Sequence, residues 1–454
     1  MTATQRVLTR KTLLGYAIGS LGTGGFGTLP GLVLVFYLTD TLGIAAIAAG
    51  IIVTAAKVWD VAIDPVIGAH SDRALYSRGS RRPLMVIGAI ALPVFFTLTF
   101  AVPGGLDPFF AGAWVLIAFL LTATAFSLFQ VPYIALPAEI ATGYDQRTKL
   151  ISARVVVLTI AILLFGAGAP EIRDSFDNEY TGYLVMAVAA GLLIGLGMLV
   201  SSFVAPKGLA TGLRGKTVVS NAASYRAGVA ALRRSQPFRA LLVAFMLQGL
   251  ATGLMLAGAQ YVATWVLGTG VTILFVSLIA PAVLFAPVWA IVSKRIGKER
   301  SFVFASSLYL LAALSLTLLI WFPGEWVYAP VALAGAGYAG MQSLPLAMLP
   351  DVISHDGEPT GTETAGTFSG VWTAGETTGM AFGATVLTVI LAISGYLESV
   401  GNQVIDQPAS AITGIVISFS IVPAVIIALS LWAFARYPLR KTDIDAETIT
   451  ESVV

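Results

Sequence analysis

Lys57, Asp60 and Asp64 stand at i, i+3 and i+7 in an otherwise apolar stretch. On a helix that spacing stacks them along one face. Lys57 neutralises Asp60 one turn away and leaves Asp64 to find another partner, which is the pattern of a structural ion pair. The same face also suits a cation site. Two carboxylates one turn apart repel each other when empty, so an arriving Na+ or H+ is electrostatically favoured. Pro65 frees a backbone carbonyl on the same helix, and hard cations take oxygen ligands of that kind. Arg154 and Glu376 are also charges inside apolar runs. Arg154 lies a few residues from the end of its run, where an arginine can snorkel. Glu376 lies mid-run, within the small-residue stretch Trp372-Thr-Ala-Gly-Glu-Thr-Thr-Gly379, where it must line a cavity or pair with a base. Ser127 and Gln130 place a hydroxyl and an amide one turn apart. A charge at mid-membrane costs about 2.5–3.5 kcal/mol on insertion scales, so each such residue is a functional candidate.

The elements that must hold these residues follow from composition. Of 454 residues, 57% are hydrophobic and only 11% are charged, with a mean hydropathy of +0.87. Soluble domains carry about 25% charged residues, so this chain cannot cover water-soluble bodies of its length. Nucleic-acid binding, a secreted scaffold and an ordinary cytosolic enzyme are excluded. Apolar runs fall at 13–38, 43–69, 84–103, 109–138, 150–169 and 182–204, then at 238–267, 271–293, 301–322, 326–349, 366–394 and 410–435. Each is about the length of a spanning helix. The expectation is an all-α membrane protein of twelve transmembrane helices in two six-helix bundles. The charge-free stretch after Arg10-Lys11 is too long for the apolar core of a cleaved signal peptide. Cysteine is absent, and His70 and His355 both sit in charged, loop-like sequence. Disulfides, thiolate chemistry and His metal clusters are therefore not expected. Gly15-x-x-x-Gly19-x-x-Gly22-x-Gly24-Gly25 is read as close helix packing, because no strand precedes it as a nucleotide loop requires.

The charges also orient the chain. The segment 205–239 carries Lys207, Arg214, Lys216, Arg226, Arg233, Arg234 and Arg239 and no acid, and the N-terminus, 70–82 and 294–300 are basic-rich. The alternate loops hold nine acids, from Asp40 to Asp406, against one base, Arg173. Basic loops mark the cytoplasmic side, which puts both termini inside. The expected layout is a bundle over 1–204, a basic linker over 205–237, a second bundle over 238–436 and a tail over 437–454. Asp64-Pro-Val-Ile-Gly-Ala-His-Ser-Asp-Arg73 and Ala286-Pro-Val-Trp-Ala-Ile-Val-Ser-Lys-Arg295 match at four of ten positions, each closing the second run of its half. Two repeated halves with a site between them is a transporter plan. Ala286 replaces the acid in the second copy, which confines the ionisable chemistry to one half.

Further motifs run the length of the chain: Phe36-Tyr-Leu-Thr-Asp-Thr-Leu-Gly43, Lys57-Val-Trp-Asp-Val-Ala-Ile-Asp-Pro-Val-Ile-Gly68 and Gly79-Ser-Arg-Arg-Pro83. Val131-Pro-Tyr-Ile-Ala-Leu-Pro-Ala-Glu-Ile140, Asp145-Gln-Arg-Thr148, Met348-Leu-Pro-Asp-Val-Ile353 and Ile412-Thr-Gly-Ile415 follow. As a set they resemble the glycoside–pentoside–hexuronide:cation symporter family, the melibiose-permease-like branch of the major facilitator superfamily. The resemblance implies the major facilitator fold and cation-coupled symport by alternating access at the cell (inner) membrane, not an enzyme. It places Asp60 and Asp64 on the family's cation-site acids, and Ser127 and Gln130 where the fourth helix completes that site and touches substrate. Arg154 matches a substrate-binding arginine, and Glu376 falls where a lysine is usual.

Other positions depart from the family. Thr23-Gly24 stands where sugar-transporting members carry an acid, and Gln130 replaces the acid of the melibiose branch. The substrate group is then Gln130, Tyr133, Arg154, Tyr261, Trp372, Thr373 and Glu376, with Trp265 nearby, and Lys57 is the charge partner. Asp72, Arg73, Arg81 and Arg82 form an expected cytoplasmic gate. The expected partners are a small-molecule substrate, a monovalent cation (Na+ or H+) and the bilayer, for a monomer without a resident cofactor or any metal beyond Na+. A lysolipid or other amphiphile, or a cationic or zwitterionic solute, is the alternative cargo.

Overall fold

In lipid every backbone polar group must be satisfied internally, which leaves apolar segments the helix as their form. A computed structural model describes residues 9–141, 144–206, 232, 234–360, 365–401, 403 and 405–439. Among the described residues ten helices are long and apolar enough to cross a membrane. In the first half these belong to α1 (Arg10–Thr41), α2 (Ala46–Arg78), α3 (Arg82–Phe100), α4 (Pro108–Ile140), α5 (Tyr144–Leu163, continuing to Asp174) and α6 (Glu179–Ser202). The second half holds α7 (Gln236–Leu267), α8 (Val271–Ile296) and α9 (Lys298–Ile320), then α10 (Tyr328–Thr360), α11 (Ala365–Ile393) and α12 (Ala409–Phe434). Helices α10 and α11 are not among the ten; every apolar run of the sequence falls on one of these segments. Local signals set the ends. Asp107 caps α4 by accepting from Phe109 N at 2.9 Å, Asn178 caps α6, and Gly79 closes α2 at φ 75°.

The chain divides into two compact units, Met1–Val218 with Glu398–Ile405, and Val219–Leu397 with Asp406–Val454. In the first unit α1 packs on α5 and α6, α3 on α4 and α6, and α2 on α4. In the second unit α7 packs on α11 and α12, α9 on α10 and α12, and α8 on α10. The pairings of the first unit thus recur six helices later, in line with the short sequence repeat. Helices α1 and α7 occupy equivalent central places: their spans are 78% and 67% buried, against 22% for α5 and α8. The glycines of α1 allow this. A Cβ on Gly24 would stand 2.6 Å from Ala161 Cβ of α5, and one on Gly19 would stand 2.7 Å from the Tyr133 ring of α4. Close packing, rather than a nucleotide loop, accounts for the run.

One connection is tied down far from its neighbours in sequence. Glu398–Ile405 belongs to the first unit, where Leu42 and Val400 form an isolated antiparallel bridge. Ser399 N donates to Thr39 O at 3.1 Å, Gly401 N to Thr41 O at 2.9 Å, and Ser399 Oγ to Asp40 O at 2.7 Å. Glu398 Oε1 accepts from Ala46 N at 2.9 Å, placing a carboxylate at the positive N-terminal end of α2. Gly43 is required there, since its φ is +65° and a Cβ would meet Val400. Paired residues of antiparallel strands lie about 4.5–5.5 Å apart at Cα, within disulfide reach. The chain has no cysteine of its own. A Leu42→Cys/Val400→Cys double variant is therefore expected to form a disulfide on mild oxidation. Loss of maleimide reactivity, restored by reductant, is the measurement.

Candidate functional site

Helix α2 runs unbroken through Pro65 and carries Lys57, Asp60 and Asp64 into the first unit. Lys57 Nζ lies 3.7 Å from Asp60 Oδ2 and stands over the Phe26 ring of α1, 5.7 Å from its centroid. Asp64 comes within electrostatic range of Lys57 and of Asp60. Ser127, buried on α4, turns its hydroxyl toward Asp64. Trp59 Nε1 donates to Thr124 Oγ1 at 2.8 Å, which fixes α2 against α4 beside the cluster. Oδ1 of Asp60 and Oδ1 of Asp64 are both buried without a hydrogen-bond partner. Carboxylate oxygens with open lone pairs are ligands for a proton or a small hard cation. Among the described residues no group of three His, Cys, Asp or Glu side chains is placed to hold a metal ion. Gln130 points elsewhere: its Oε1 accepts from Thr23 Oγ1 of α1 at 2.8 Å.

The remaining sequence-derived substrate residues fall into separate groups. In the first unit Tyr133 is fully buried and stacks between Phe129 and Tyr16, at 5.0 and 4.8 Å between ring centroids. Its hydroxyl donates to Tyr16 O at 2.9 Å and lies 3.1 Å from Ser20 Oγ. Arg154 stands over the Tyr133 ring at 5.3 Å. In the second unit Tyr261 is fully buried with its ring edge-on to Tyr396 at 5.5 Å, and Trp265 meets the same ring at 6.4 Å. Trp372 stacks on Phe245 at 4.4 Å and is buried in the core of that unit. The side chains of Thr373 and Glu376 lie outside the described residues, although both positions are on α11.

At the α2–α3 connection Arg81 is the centre of a charge network. Its Nη2 lies 2.6 Å from Asp72 Oδ1, its Nε 2.5 Å from Glu139 Oε1, and its Nη1 donates to Ser71 Oγ at 2.7 Å. Burial works against the guanidinium charge, but Glu139 and Asp72 outweigh it and push the Arg81 pKa above its ordinary value. Arg82 instead lies over the Phe203 ring at 4.1 Å, and Arg73 is exposed. The second unit repeats the network with one pair: Lys298 Nζ, opening α9, lies 2.6 Å from Asp351 Oδ2 near the end of α10. Neither Glu139 nor Asp351 stands out by residue type. The signal that marks them is the recurrence of Leu-Pro followed by an acid, in Leu136-Pro137-Ala138-Glu139 and Leu349-Pro350-Asp351.

Removing the more buried of the two acids leaves Arg81 with Asp72 alone, and an under-compensated charge of this kind costs up to about 3 kcal/mol. Glu139 is 12% exposed and Asp72 39%. Glu139→Gln is therefore expected to lower thermal stability in detergent by about that amount, and Asp72→Asn by no more than about 1 kcal/mol. A double variant with Arg81→Gln should recover part of the first loss.

Comparison with known proteins covers nearly the whole chain. Residues 15–441 match the MFS/sugar transport protein family. The glucuronide carrier protein homolog of Escherichia coli K12 is 25% identical over 450 residues, 95% of this chain and 93% of that protein. The sodium-dependent lysophosphatidylcholine symporter 1 of Mus musculus is 23% identical, over 94% of this chain and 85% of the relative. The crystal structure of a D-xylose-proton symporter superposes with a TM-score of 0.66 at 14% identity, over 94% and 96% of the two chains, a likeness of fold. With its repeated helix pairings, the Asp60 and Asp64 carboxyls on α2 and a family match over residues 15–441, this chain belongs to the MFS/sugar transport family, in the glycoside–pentoside–hexuronide:cation symporter branch of the major facilitator superfamily.

Proposed function

We propose that this protein is a secondary active transporter of the cell membrane that couples entry of Na+ or H+ to uptake of a small, sugar-like solute by alternating access. The observation that carries the reading is the Lys57–Asp60–Asp64–Ser127 cluster, with two buried carboxylate oxygens open to a cation. Coupling of this kind needs no covalent step. A ligand shifts a conformational equilibrium by its differential affinity for the two states, so a cation that stabilises the solute-binding state suffices. Helices α10 and α11 join the ten apolar helices to make twelve spans. The basic loops favour a cytoplasmic side for both termini and for the Arg81 network, where Arg81 with Asp72 and Glu139 would act as a gate. The protein works as a monomer with the coupling ion as its only inorganic co-substrate.

A sugar-like cargo is favoured over an amphiphile by the placement of the aromatic residues. Trp372, Tyr261 and Tyr133 are packed into the cores of their units. Buried in this way, they do not supply the open apolar wall that an acyl chain would need. The neighbourhood of Gln130, Thr23, Ser20 and Arg154 offers hydrogen-bonding groups instead. In proteoliposomes under an imposed Na+ or H+ gradient, Asp60→Asn and Asp64→Asn should each reduce gradient-driven uptake to the level of protein-free vesicles. Full cation-driven uptake by both variants would overturn the reading.

A further inference from the structure

Helix α2 carries Lys57, Asp60 and Asp64, yet its own sequence supplies no cap for its start. The residue at the N-cap is Ala45, whose methyl group cannot accept a hydrogen bond. The first turn of a helix leaves backbone N–H groups that need an acceptor. One comes from far along the chain: Glu398 Oε1 accepts from Ala46 N at 2.9 Å. Lys57 follows about three turns further along the same helix. Glu398 opens a short strap, Glu398–Gly401, that belongs to the first unit, although α11 and α12 on either side of it belong to the second. The strap is held at several points. Ser399 and Gly401 donate their amides to Thr39 O and Thr41 O, and the buried Ser399 hydroxyl donates to Asp40 O. Tyr180 of α6 donates to Thr41 O at 3.0 Å, and a Cβ on Gly401 would stand 3.1 Å from its ring.

The base of the strap is fixed as well. Gln407 closes it with two hydrogen bonds, accepting from Leu397 N at 3.0 Å and donating to Leu397 O at 2.6 Å. Tyr396 is buried with its ring edge-on to Tyr261 of α7. A loop clamped at its base follows α11 and α12, so its tip is either seated on the start of α2 or lifted from it as a piece. Net of water each of the tip's hydrogen bonds is weak, and a handful can be made and broken within a transport cycle. The strap lies in an acid-bearing loop, on the side opposite the basic loops. Solute taken up from outside enters at that end. A cation that favours the solute-accepting state must then favour an unseated strap. We propose that Glu398 is a positioning residue for the cation-site helix and that the Glu398–Gly401 strap is a latch. Seated, it holds α2 by its N-terminus in one transport state; it lifts when the coupling cation neutralises Asp60 and Asp64. The proposal rests on the symport reading and adds to it the element that links the cation site to the α11–α12 connection.

The test is the rate at which a membrane-impermeant maleimide labels a Ser399→Cys variant in detergent. Ser399 is buried while the strap is seated, and the chain has no other cysteine. Neutralising the acids, by Asp60→Asn and Asp64→Asn together or singly, should speed labelling about fivefold or more, the scale of an ordinary coupling between two sites. Glu398→Ala removes the acceptor for Ala46 N and should speed labelling to a similar extent. Glu398→Gln keeps an acceptor and should label close to the parent rate. A rate unchanged or slowed by the Asp→Asn substitutions overturns the latch and leaves Glu398 a static cap, even if Glu398→Ala speeds labelling. In proteoliposomes the oxidised Leu42→Cys/Val400→Cys variant should lose gradient-driven uptake of methyl β-D-glucoside and recover it on reduction. Undiminished uptake by the crosslinked protein also overturns the latch. The symport reading answers to a separate result. An insensitive strap in protein whose glucoside uptake follows a Na+ or H+ gradient removes the latch alone. A responsive strap in protein that neither gradient drives removes the symport reading and keeps the link between the α2 acids and the strap.

Discussion

Taking a charge out of water costs several kcal/mol even after the protein relaxes around it, and the charged chemistry of this protein is arranged around that cost. Lys57 sits one turn from Asp60 and within range of Asp64. Only the paired form of this face is affordable on a membrane-spanning helix. The pairing is incomplete, because two acids share one ammonium and each keeps a bare oxygen. That shortfall is what a coupling cation, on the reading proposed above, would answer. A fully compensated pair would be structural and inert.

The neutral parts of the first unit serve the same end. Helix α2 is held against α4 by the Trp59–Thr124 bond and against α1 by Lys57 over Phe26. Helix α1 reaches α5 because its glycines carry no Cβ, and the Tyr16–Tyr133–Ser20 hydrogen bonds join α1 to α4 across that contact. Some interior hydroxyls are matched to one another, as in Thr99 with Thr122 and Ser20 with Tyr133. Such bonds are each worth about 1 kcal/mol net, but leaving the groups unmade would cost more.

The two units share a packing plan and differ in chemistry. The indole of Trp289 donates to Ala336 O at 2.7 Å and so pins α8 to α10, as Trp59 pins α2 to α4. The Lys298–Asp351 pair stands where Arg81 and Glu139 stand in the first unit. Yet Ala286 occupies the place of Asp64, and a small cavity of the second unit is lined by Met255, Leu274, Phe275, Val331 and Phe419 among other apolar side chains. The helix pairings recur in both units, while the ionisable face of α2 has no counterpart on α8.

Much of this was legible in the sequence, because lipid imposes rules that act locally. Apolar runs of spanning length must be helices, basic loops sort by side, and a charge within a run declares itself by its cost. Those rules locate the helices to within a few residues and single out Lys57, Asp60, Asp64 and Arg154 from one strand of text. Partnership is a different matter, since it depends on which faces meet. Only the tertiary structure sets Ser127 beside Asp64 and turns Gln130 toward Thr23 rather than toward the acids. It alone brings Glu139 to Arg81, 58 residues away, buries Trp372 and Tyr261 in the core, and returns Glu398 to cap a helix 352 residues earlier. The sequence by itself determined which residues carry charge into the membrane, because burial cost attaches to each residue singly. Which of them are answered, and which stay open to a ligand, was decided by helix packing, because compensation requires two side chains from distant positions to meet.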